Sequence, residues 1–165
     1  MLGHTYDEQV CSVARALEVV GERWSLLIVR DVQLGLHRFE DIREELGIAR
    51  NVLASRLAGL VDAGILERRR YSGHPQRFEY HLTPVGRELA LPIVALMQWG
   101  DRHLARPDGP PRRARHRDCG GPVEVAFACT DCGTTVPLAE VEVVPRMARP
   151  TADGATPVGG VAAKG

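Results

Sequence analysis

The sequence has no excess of charge of either sign and no long apolar run. Its 165 residues include 21 basic and 21 acidic side chains, so net charge by itself predicts no affinity for nucleic acid. No stretch approaches the roughly 18 apolar residues of a membrane-spanning helix, and the first residues lack the basic and apolar segments of a signal peptide. We therefore expect a cytoplasmic protein with no membrane partner, whose thiols stay reduced.

The motifs of several enzyme classes are also absent. The chain has no G-x-S-x-G, no Walker sequence and no H-E-x-x-H, and of its six histidines only His116 lies near other candidate metal ligands. We therefore expect that the protein is not an enzyme. Its length allows one folded domain with an appendage, and an apolar fraction of 44% is ordinary for a globular core.

The stretch 38–82 changes its apolar period from helical to strand-like. Apolar residues recur every three or four positions on either side of Gly47, and the second of these segments ends at Gly64. After a turn at 72–75, apolar residues alternate through 78–82, as in a β-hairpin. Two short helices around a glycine turn, followed by a hairpin, are typical of a winged helix-turn-helix, whose second helix enters the DNA major groove.

Arginines concentrate in this stretch although the whole chain is neutral. Between Ile48 and Phe78 six arginines stand against Asp62 and Glu67, a local excess of four positive charges. A basic run is usually only a solvated surface, but its coincidence with the helix-turn-helix and hairpin favours double-stranded DNA as partner. The predicted DNA-binding residues are Arg50, Asn51, Ser55 and Arg56 on the recognition helix, and Arg68, Arg70, His74, Gln76 and Arg77 in the hairpin.

Three of these residues have a second interpretation. Arg56 could bond to a guanine edge or only contact phosphate, and Asn51 could read adenine or only begin the helix. Arg77 could contact the DNA backbone, or it could brace the hairpin against Glu67 or Glu79. The sequence leaves these alternatives open.

Helices are also predicted on both sides of the motif. Helical spacing and glycine breaks predict two helices before it, at about 10–20 and 24–31. Thr-Pro at 83–84 is a typical helix start, and a wide apolar stripe follows to residue 104, with a bend expected at Pro92. A helix this apolar needs cover on two sides. We expect a second copy of the chain to provide one of them, and a helix buried within the monomer is the alternative.

The chain resembles the HxlR-type winged helix-turn-helix transcriptional regulators in four segments between Cys11 and Leu104. These are CSVARALEVVGERWSLLIVRD, RFEDIREELGI, NVLASRLAGLVDAGILERRRY and PQRFEYHLTPVGRELALPIVALMQWGDRHL. The most specific parts are Gly21 with Trp24, the run Glu79-Tyr80-x-Leu82-Thr83 with Gly86, and the run Trp99-Gly100-Asp101. The resemblance implies a homodimeric repressor or activator on a palindromic operator, with the dimer built from the N-terminal and long C-terminal helices.

Two kinds of signal are compatible with this resemblance. Some similar regulators sense oxidants or electrophiles through a cysteine near the first helix, which makes Cys11 a candidate redox sensor. A small buried residue in the dimer contact is the alternative for Cys11. A small-molecule effector could instead bind between the dimer helices near Trp24 and Trp99.

A cysteine-bearing segment follows the proline-rich linker. His116-x2-Cys119 and Cys129-x2-Cys132 are each followed by glycine and are joined by a stretch at 123–127 that alternates like a strand. This layout is typical of a zinc ribbon, and thiolate and imidazole ligands suit tetrahedral Zn²⁺. A segment this small cannot bury enough apolar surface to fold alone, so one Zn²⁺ per chain would supply the missing stability. The alternatives are an oxidised cysteine pair, a redox switch or a ribbon without metal.

The predicted fold is therefore mainly α with a small β-hairpin wing, a winged helix-turn-helix, plus a small C-terminal zinc-ribbon-like β appendage. The DNA-binding and dimerisation domain would occupy 1–106, the linker 107–115, the appendage 116–144 and a disordered tail 145–165. The predicted function is that of a sequence-specific, homodimeric transcriptional regulator. The alternative is a protein-interaction adaptor in which the ribbon is the functional surface.

Overall fold

The computed structural model describes residues 11–72, 76–104 and 107–144. They form two compact units, one up to Val125 and one from Ala126 onward. No helix within these ranges is long and apolar enough to cross a membrane. The elements are α1 Ser12–Val20, α2 Ser25–Gln33, α3 Phe39–Leu46, α4 Arg50–Asp62, β1 Leu66–Ser72, β2 Arg77–Leu82, α5 Pro84–Glu88, α6 Ala90–His103, β3 Phe127–Ala128, β4 Thr135–Val136 and a 3₁₀ turn at Leu138–Glu140.

The helix-turn-helix consists of α3 and α4. Gly47 ends α3 at φ 60°, a conformation that glycine adopts without steric cost. The chain then turns into α4, whose leucines Leu53, Leu57 and Leu60 are buried. The predicted pair of short helices around a glycine turn is confirmed.

The wing is an antiparallel hairpin of β1 and β2. Leu66 pairs with Leu82 at its base, and the register shifts between Arg70 and Ser72 near the turn. The segment before α3 adds a short third edge that the sequence pattern did not reveal, because Tyr80 N donates to His37 O at 2.8 Å. The hairpin is thereby joined to the start of the helix-turn-helix.

The helix start after the wing is confirmed in atomic detail. Gly86 N donates to Thr83 Oγ1 at 3.0 Å, and Pro84 occupies the first turn of α5. Gly86 is required here because a Cβ atom at this position would lie 2.1 Å from Ile65 O. The close approach seats α5 against the base of β1.

The long helix is interrupted before the predicted bend. α5 ends at Glu88 and α6 begins at Ala90, so the break lies at Leu89 and not at Pro92. Proline lacks an amide hydrogen and its ring collides with the carbonyl four residues earlier in a continuous helix. The break places Pro92 in the first turn of α6, where the amide needs no helical partner.

The core of the first unit lies between α2, α3, α4 and the base of the wing. α6 contributes no buried residue, and only partly buried side chains such as Ile93 pack against this core. The buried apolar cluster consists of Ile28, Val29, Val32, Ile42, Ile48, Leu53, Leu57, Leu60, Ile65 and Leu66.

The region after α6 differs from the predicted ribbon. Of the stretch 123–127, only Phe127 lies in a strand, β3, which pairs with β4. The backbone of Val123 and Val125 is instead bonded to the side-chain amide of Gln98 on α6, at 2.7 and 2.9 Å. The predicted disordered tail at 145–165 lies outside the described residues.

Candidate nucleic-acid interface and cysteine sites

The outer face of α4 is exposed to solvent. Leu53 and Leu57 hold the helix on the core, whereas Asn51 and Ser55 are exposed on its other side. Ala54 is exposed beside them, so the outer surface of α4 is made of small and polar side chains. Such a surface can approach the floor of a major groove closely.

Two arginines of α4 are held by acidic neighbours. Arg50 forms an ion pair with Glu40 on α3 and lies over the ring of Phe39, with 5.3 Å from its Cζ atom to the ring centroid. Glu40 also accepts from Arg43, and these arginines, Arg43 first, hold the pKa of the Glu40 carboxyl below its usual value. The Arg50 guanidinium can therefore neutralise a phosphate only if it also keeps its ion pair with Glu40 or breaks that ion pair.

Arg56 points back toward the turn before α2. Its guanidinium lies 2.7 Å from a carboxylate oxygen of Glu22 and donates to Arg23 O at 3.3 Å. The next residue, Trp24, has φ 84°, and no other non-glycine residue in the described ranges has a positive φ. The sequence pattern did not reveal the ion pair between Arg56 and Glu22, because the two residues are 34 positions apart and no motif links them.

The arginines of the wing differ in their partners. Arg69 forms an ion pair with Glu67, and Arg68 lies over the ring of Phe78 at 4.0 Å from the centroid. The side chains of Arg70 and Arg77 are exposed and form no hydrogen bond or ion pair with any residue that the structure describes. Their charges are therefore available to a phosphate backbone.

The acidic residues proposed as braces for Arg77 are engaged elsewhere. Glu67 bonds to Arg69, and Glu79 binds Arg38 at 3.2 Å. The hydrogen bond from Arg38, with a further one from His81, lowers the pKa of the Glu79 carboxyl. Gln76 is exposed, whereas His74 lies outside the described residues.

Two exposed apolar faces lie on α1 and α6. On α1, Val13 is 66% exposed; on α6, Leu91 and Trp99 are 65% and 51% exposed, and Leu104, directly after α6, is 70% exposed. Exposed apolar faces of this kind mark contact surfaces.

Cys11 is the N-cap residue of α1 and is exposed. Its side chain makes no capping hydrogen bond. The thiol is thus accessible to solvent in the single chain.

The two pairs of predicted metal ligands have the same local conformation. In the first, Gly120 N donates to His116 O and His116 N donates to Gly121 O, both at 2.8 Å. In the second, Gly133 N donates to Cys129 O and Cys129 N donates to the carbonyl of residue 134, both at 2.9 Å. Each pair therefore lies on a knuckle that directs two side chains to one side, with glycine at φ 71° in its last turn position.

The chemistry within each knuckle suits metal ligands. His116 Nδ1 lies 3.2 Å from Cys119 Sγ. Hydrogen bonds from the side chain and amide of Thr134, and then from Cys129, lower the pKa of Cys132 to about 7. In the described ranges no three His, Cys, Asp or Glu side chains are grouped as in a metal site.

Comparison with known proteins assigns the family. The HxlR-like helix-turn-helix model matches residues 19–108. The chain is 46% identical to the uncharacterized HTH-type transcriptional regulator Rv3095 of Mycobacterium tuberculosis (strain ATCC 25618 / H37Rv). The match extends over 144 residues and covers 87% of this chain and 90% of that protein. The crystal structure of PA1607 matches with a TM-score of 0.74 at 38% identity, over 85% of this chain and 98% of that one.

A redox regulator is also similar in structure. HypR in its oxidized form matches with a TM-score of 0.53 at 30% identity, over 56% of this chain and 97% of that one. The family match covers more than half of the chain and includes α2 to α6, which carry the exposed recognition face and the wing. The protein therefore belongs to the HxlR-like helix-turn-helix family of transcriptional regulators.

Proposed function

We propose that the protein regulates transcription by binding a palindromic operator as a homodimer, with α4 in the major groove. The exposed outer face of α4 carries this proposal, since its leucines are buried while Asn51 and Ser55 face solvent. Asn51 is suited to an adenine edge and Ser55 to a base or phosphate. A base contact by Arg56 would require it to leave Glu22.

The wing would contribute phosphate contacts. Arg70 and Arg77 are exposed and unpaired within the described residues, so no internal ion pair opposes their binding to DNA. Arg68, stacked on Phe78, would present its guanidinium at the edge of the hairpin. Contacts of this type position the protein but carry little sequence information.

The homodimer is proposed from the exposed apolar faces of α1 and α6. A palindromic operator requires two recognition helices about one helical repeat of DNA apart, which a twofold dimer provides. Sedimentation equilibrium should give twice the chain mass. Trp99→Glu should give monomers, because a charge replaces an apolar contact, whereas a dimer that survives both Trp99→Glu and Leu91→Glu would exclude this face.

DNA binding is tested by fluorescence anisotropy with sites recovered by genome-wide mapping. We expect specific binding that weakens steeply with salt, since each phosphate contact contributes a slope of about −0.9 to the dependence of log affinity on log salt concentration. Equal affinity for mapped and scrambled sites would contradict sequence-specific regulation. No binding even at low salt would favour the adaptor function.

We also propose that Cys11 can sense oxidants. Its exposure and the similarity of the chain to HypR support this role. Diamide should release the wild-type protein from DNA but leave the Cys11→Ser variant bound. Release of that variant to the same extent would remove Cys11 from this role.

We further propose that His116, Cys119, Cys129 and Cys132 hold one Zn²⁺ per chain. The matching conformation of the two knuckles and the donor set of three sulfurs and one imidazole support this site. Bound zinc would act structurally, as a cross-link between segments with little apolar burial. Metal analysis of untagged protein should give about one equivalent of zinc, and less than about half an equivalent would contradict the proposal.

A further inference from the structure

A cleft lies within the first unit between α2 and α6. Its volume is about 490 Å³, which is within the range of small-molecule sites. Leu27 on α2, Leu34 directly after α2, and Ile93 and Met97 on α6 form much of its apolar wall. Neither Trp24 nor Trp99 lines it, so it differs from the effector position expected from the sequence.

The roof of the cleft is the segment 111–114, which follows the part matched by the family model. This segment is held in place, since Val123 N donates to Ala114 O at 3.0 Å and Gln98 binds the backbone on either side of residue 124. The alignment with Rv3095 includes 144 residues, so at least 36 of them lie after Asp108. The roof is therefore part of a region that this relative also contains.

Three arginines line the cleft against one carboxylate, Asp101. Arg30 is oriented by Asp31, whose carboxylate oxygen lies 2.7 Å from its guanidinium. Arg112 contacts Glu45 on α3 at 3.5 Å, a long ion pair. The third, Arg113, has no hydrogen bond or ion pair with the described part of the chain.

Arg30 and Arg112 lie near the same buried group. Asp31 is fully buried, one of its oxygens has no hydrogen-bond partner in the described ranges, and both arginines act on its charge. Burial raises the pKa of the Asp31 carboxyl, whereas the hydrogen bond and charge of Arg30 lower it. Because three arginines and one carboxylate line the cleft, its polar side has an excess of positive charge, while its walls are apolar.

We infer that this cleft binds an amphipathic organic anion, with its apolar body between α2 and α6 and its carboxylate or sulfonate at Arg112 and Arg113. Guanidinium groups bind such anions through two parallel hydrogen bonds. An anion at Arg112 would compete with Glu45 and so loosen the tie between the roof and α3. This regulatory consequence rests on the proposed DNA binding, whereas the binding site itself does not.

The test uses the full chain and two fluorescent probes of similar apolar shape. 8-Anilinonaphthalene-1-sulfonate carries an anionic group, and N-phenyl-1-naphthylamine is neutral. We expect saturable binding of the sulfonate with one site per chain, and a loss of about fivefold to tenfold in its affinity in Arg113→Gln, since one charged hydrogen-bond partner is removed. Binding of the neutral probe should stay within about twofold of the wild-type value in that variant.

Two further variants define the position. Ala114→Phe should abolish binding of both probes because the added ring occupies the cleft. Arg117→Gln, which removes an exposed arginine outside the cleft, should leave the binding of both probes unchanged. The inference is overturned if Arg113→Gln weakens both probes equally, if Ala114→Phe leaves sulfonate binding intact, or if binding disappears as the chain dimerises, which would mean that a second copy covers the cleft.

The regulatory part is measured separately, as the change in operator affinity on saturation with the sulfonate. We expect a loss of about fivefold or more, which Ala114→Phe should remove. Probe binding without any DNA binding would contradict the proposed function but leave the site intact. DNA binding that the bound probe does not change would overturn the regulatory consequence alone.

Discussion

The winged-helix part of the chain and the segment 126–144 use different sources of stability. In the first, ten apolar side chains of α2 to α4 and the wing form one buried cluster. In the second, no described residue is buried, and Phe127, Leu138 and Val143 are 50%, 72% and 93% exposed. An apolar core can hold the first region, whereas the second has turn hydrogen bonds and cysteines in place of a core.

The two regions also differ in what positions their proposed site residues. The residues proposed to contact DNA lie on elements seated by the buried cluster, so their positions depend on packing. The two cysteines of the second region, Cys129 and Cys132, lie on one knuckle whose backbone geometry is local. A change in one region should therefore leave the other largely intact.

Removal of the proposed zinc should destabilise the segment 126–144, and this is the largest effect that we expect. Structural zinc contributes on the order of 10 kcal/mol to small domains at neutral pH. Chelation with EDTA should therefore speed chymotrypsin cleavage at Phe127 and Leu138 by about tenfold or more, while the urea midpoint reported by tryptophan fluorescence stays constant. Cys129→Ser should behave like chelated protein, and Cys11→Ser should respond like the wild type. If chelation does not change the rate of cleavage, zinc does not stabilise the segment 126–144.

A core substitution should show the opposite pattern. Leu57 is 1% exposed, and Leu57→Ala should lower the free energy of unfolding by about 2 to 5 kcal/mol in urea titrations, because a cavity replaces packed side-chain atoms. The matched change Phe127→Ala removes a half-exposed ring and should cost less than about 1 kcal/mol in the same transition. Equal losses would show that the two regions unfold as one.

The buried Asp31 should make the first region sensitive to pH. Burial raises the pKa of its carboxyl in the native state, so the native state holds the proton more tightly than the unfolded chain. Its stabilising contribution is complete below the unfolded pKa of about 3.9 and is lost as pH rises through the raised native pKa, at up to about 1.4 kcal/mol per pH unit.

Asp31→Asn isolates this contribution. The free energy of unfolding of the wild type minus that of Asp31→Asn should fall as pH increases across this window. Urea titrations at a series of pH values measure the difference. A difference that rises with pH would show that the ion pair with Arg30 outweighs burial.

A charge change on the wing should have the smallest effect. Arg77→Ala should weaken binding by about 1 kcal/mol, or about fivefold, on operator and random DNA alike, and should reduce the salt slope by about 1. Arg69→Ala should change DNA affinity less, because Arg69 is already paired with Glu67. Cys129→Ser should not change DNA affinity. A loss confined to operator DNA would show that Arg77 reads sequence.

The helix-turn-helix, the hairpin and the cap at Thr83 could be predicted because each depends on neighbours in sequence. Apolar spacing seats α4 through Leu53 and Leu57, and a hydroxyl three residues before Gly86 is within reach of its amide. The position of the helix break was wrong by three residues. Pro92 indicated the interruption, but the first turn of a helix tolerates proline, so the break moved to Leu89.

The strand expected at 123–127 failed for a different reason. Its alternating side chains are typical of a strand. The backbone of Val123 and Val125, however, forms hydrogen bonds with the side-chain amide of Gln98, 25 and 27 positions away. The spacing of apolar residues indicates which side chains share a face. It does not indicate which group will form hydrogen bonds with the backbone of that segment.

By itself the sequence determined the order of the elements, the exposed and buried sides of α4 and the two knuckle sequences, because helical period, glycine turns and ligand spacing act over a few residues. Only the tertiary structure decided which arginines are free. Arg56 forms an ion pair with Glu22 and Arg69 with Glu67, whereas the guanidinium groups of Arg70 and Arg77 have no partner in the described residues. The cleft between α2 and α6 likewise exists only after folding, because α2 lies more than 50 positions before α6 and the roof.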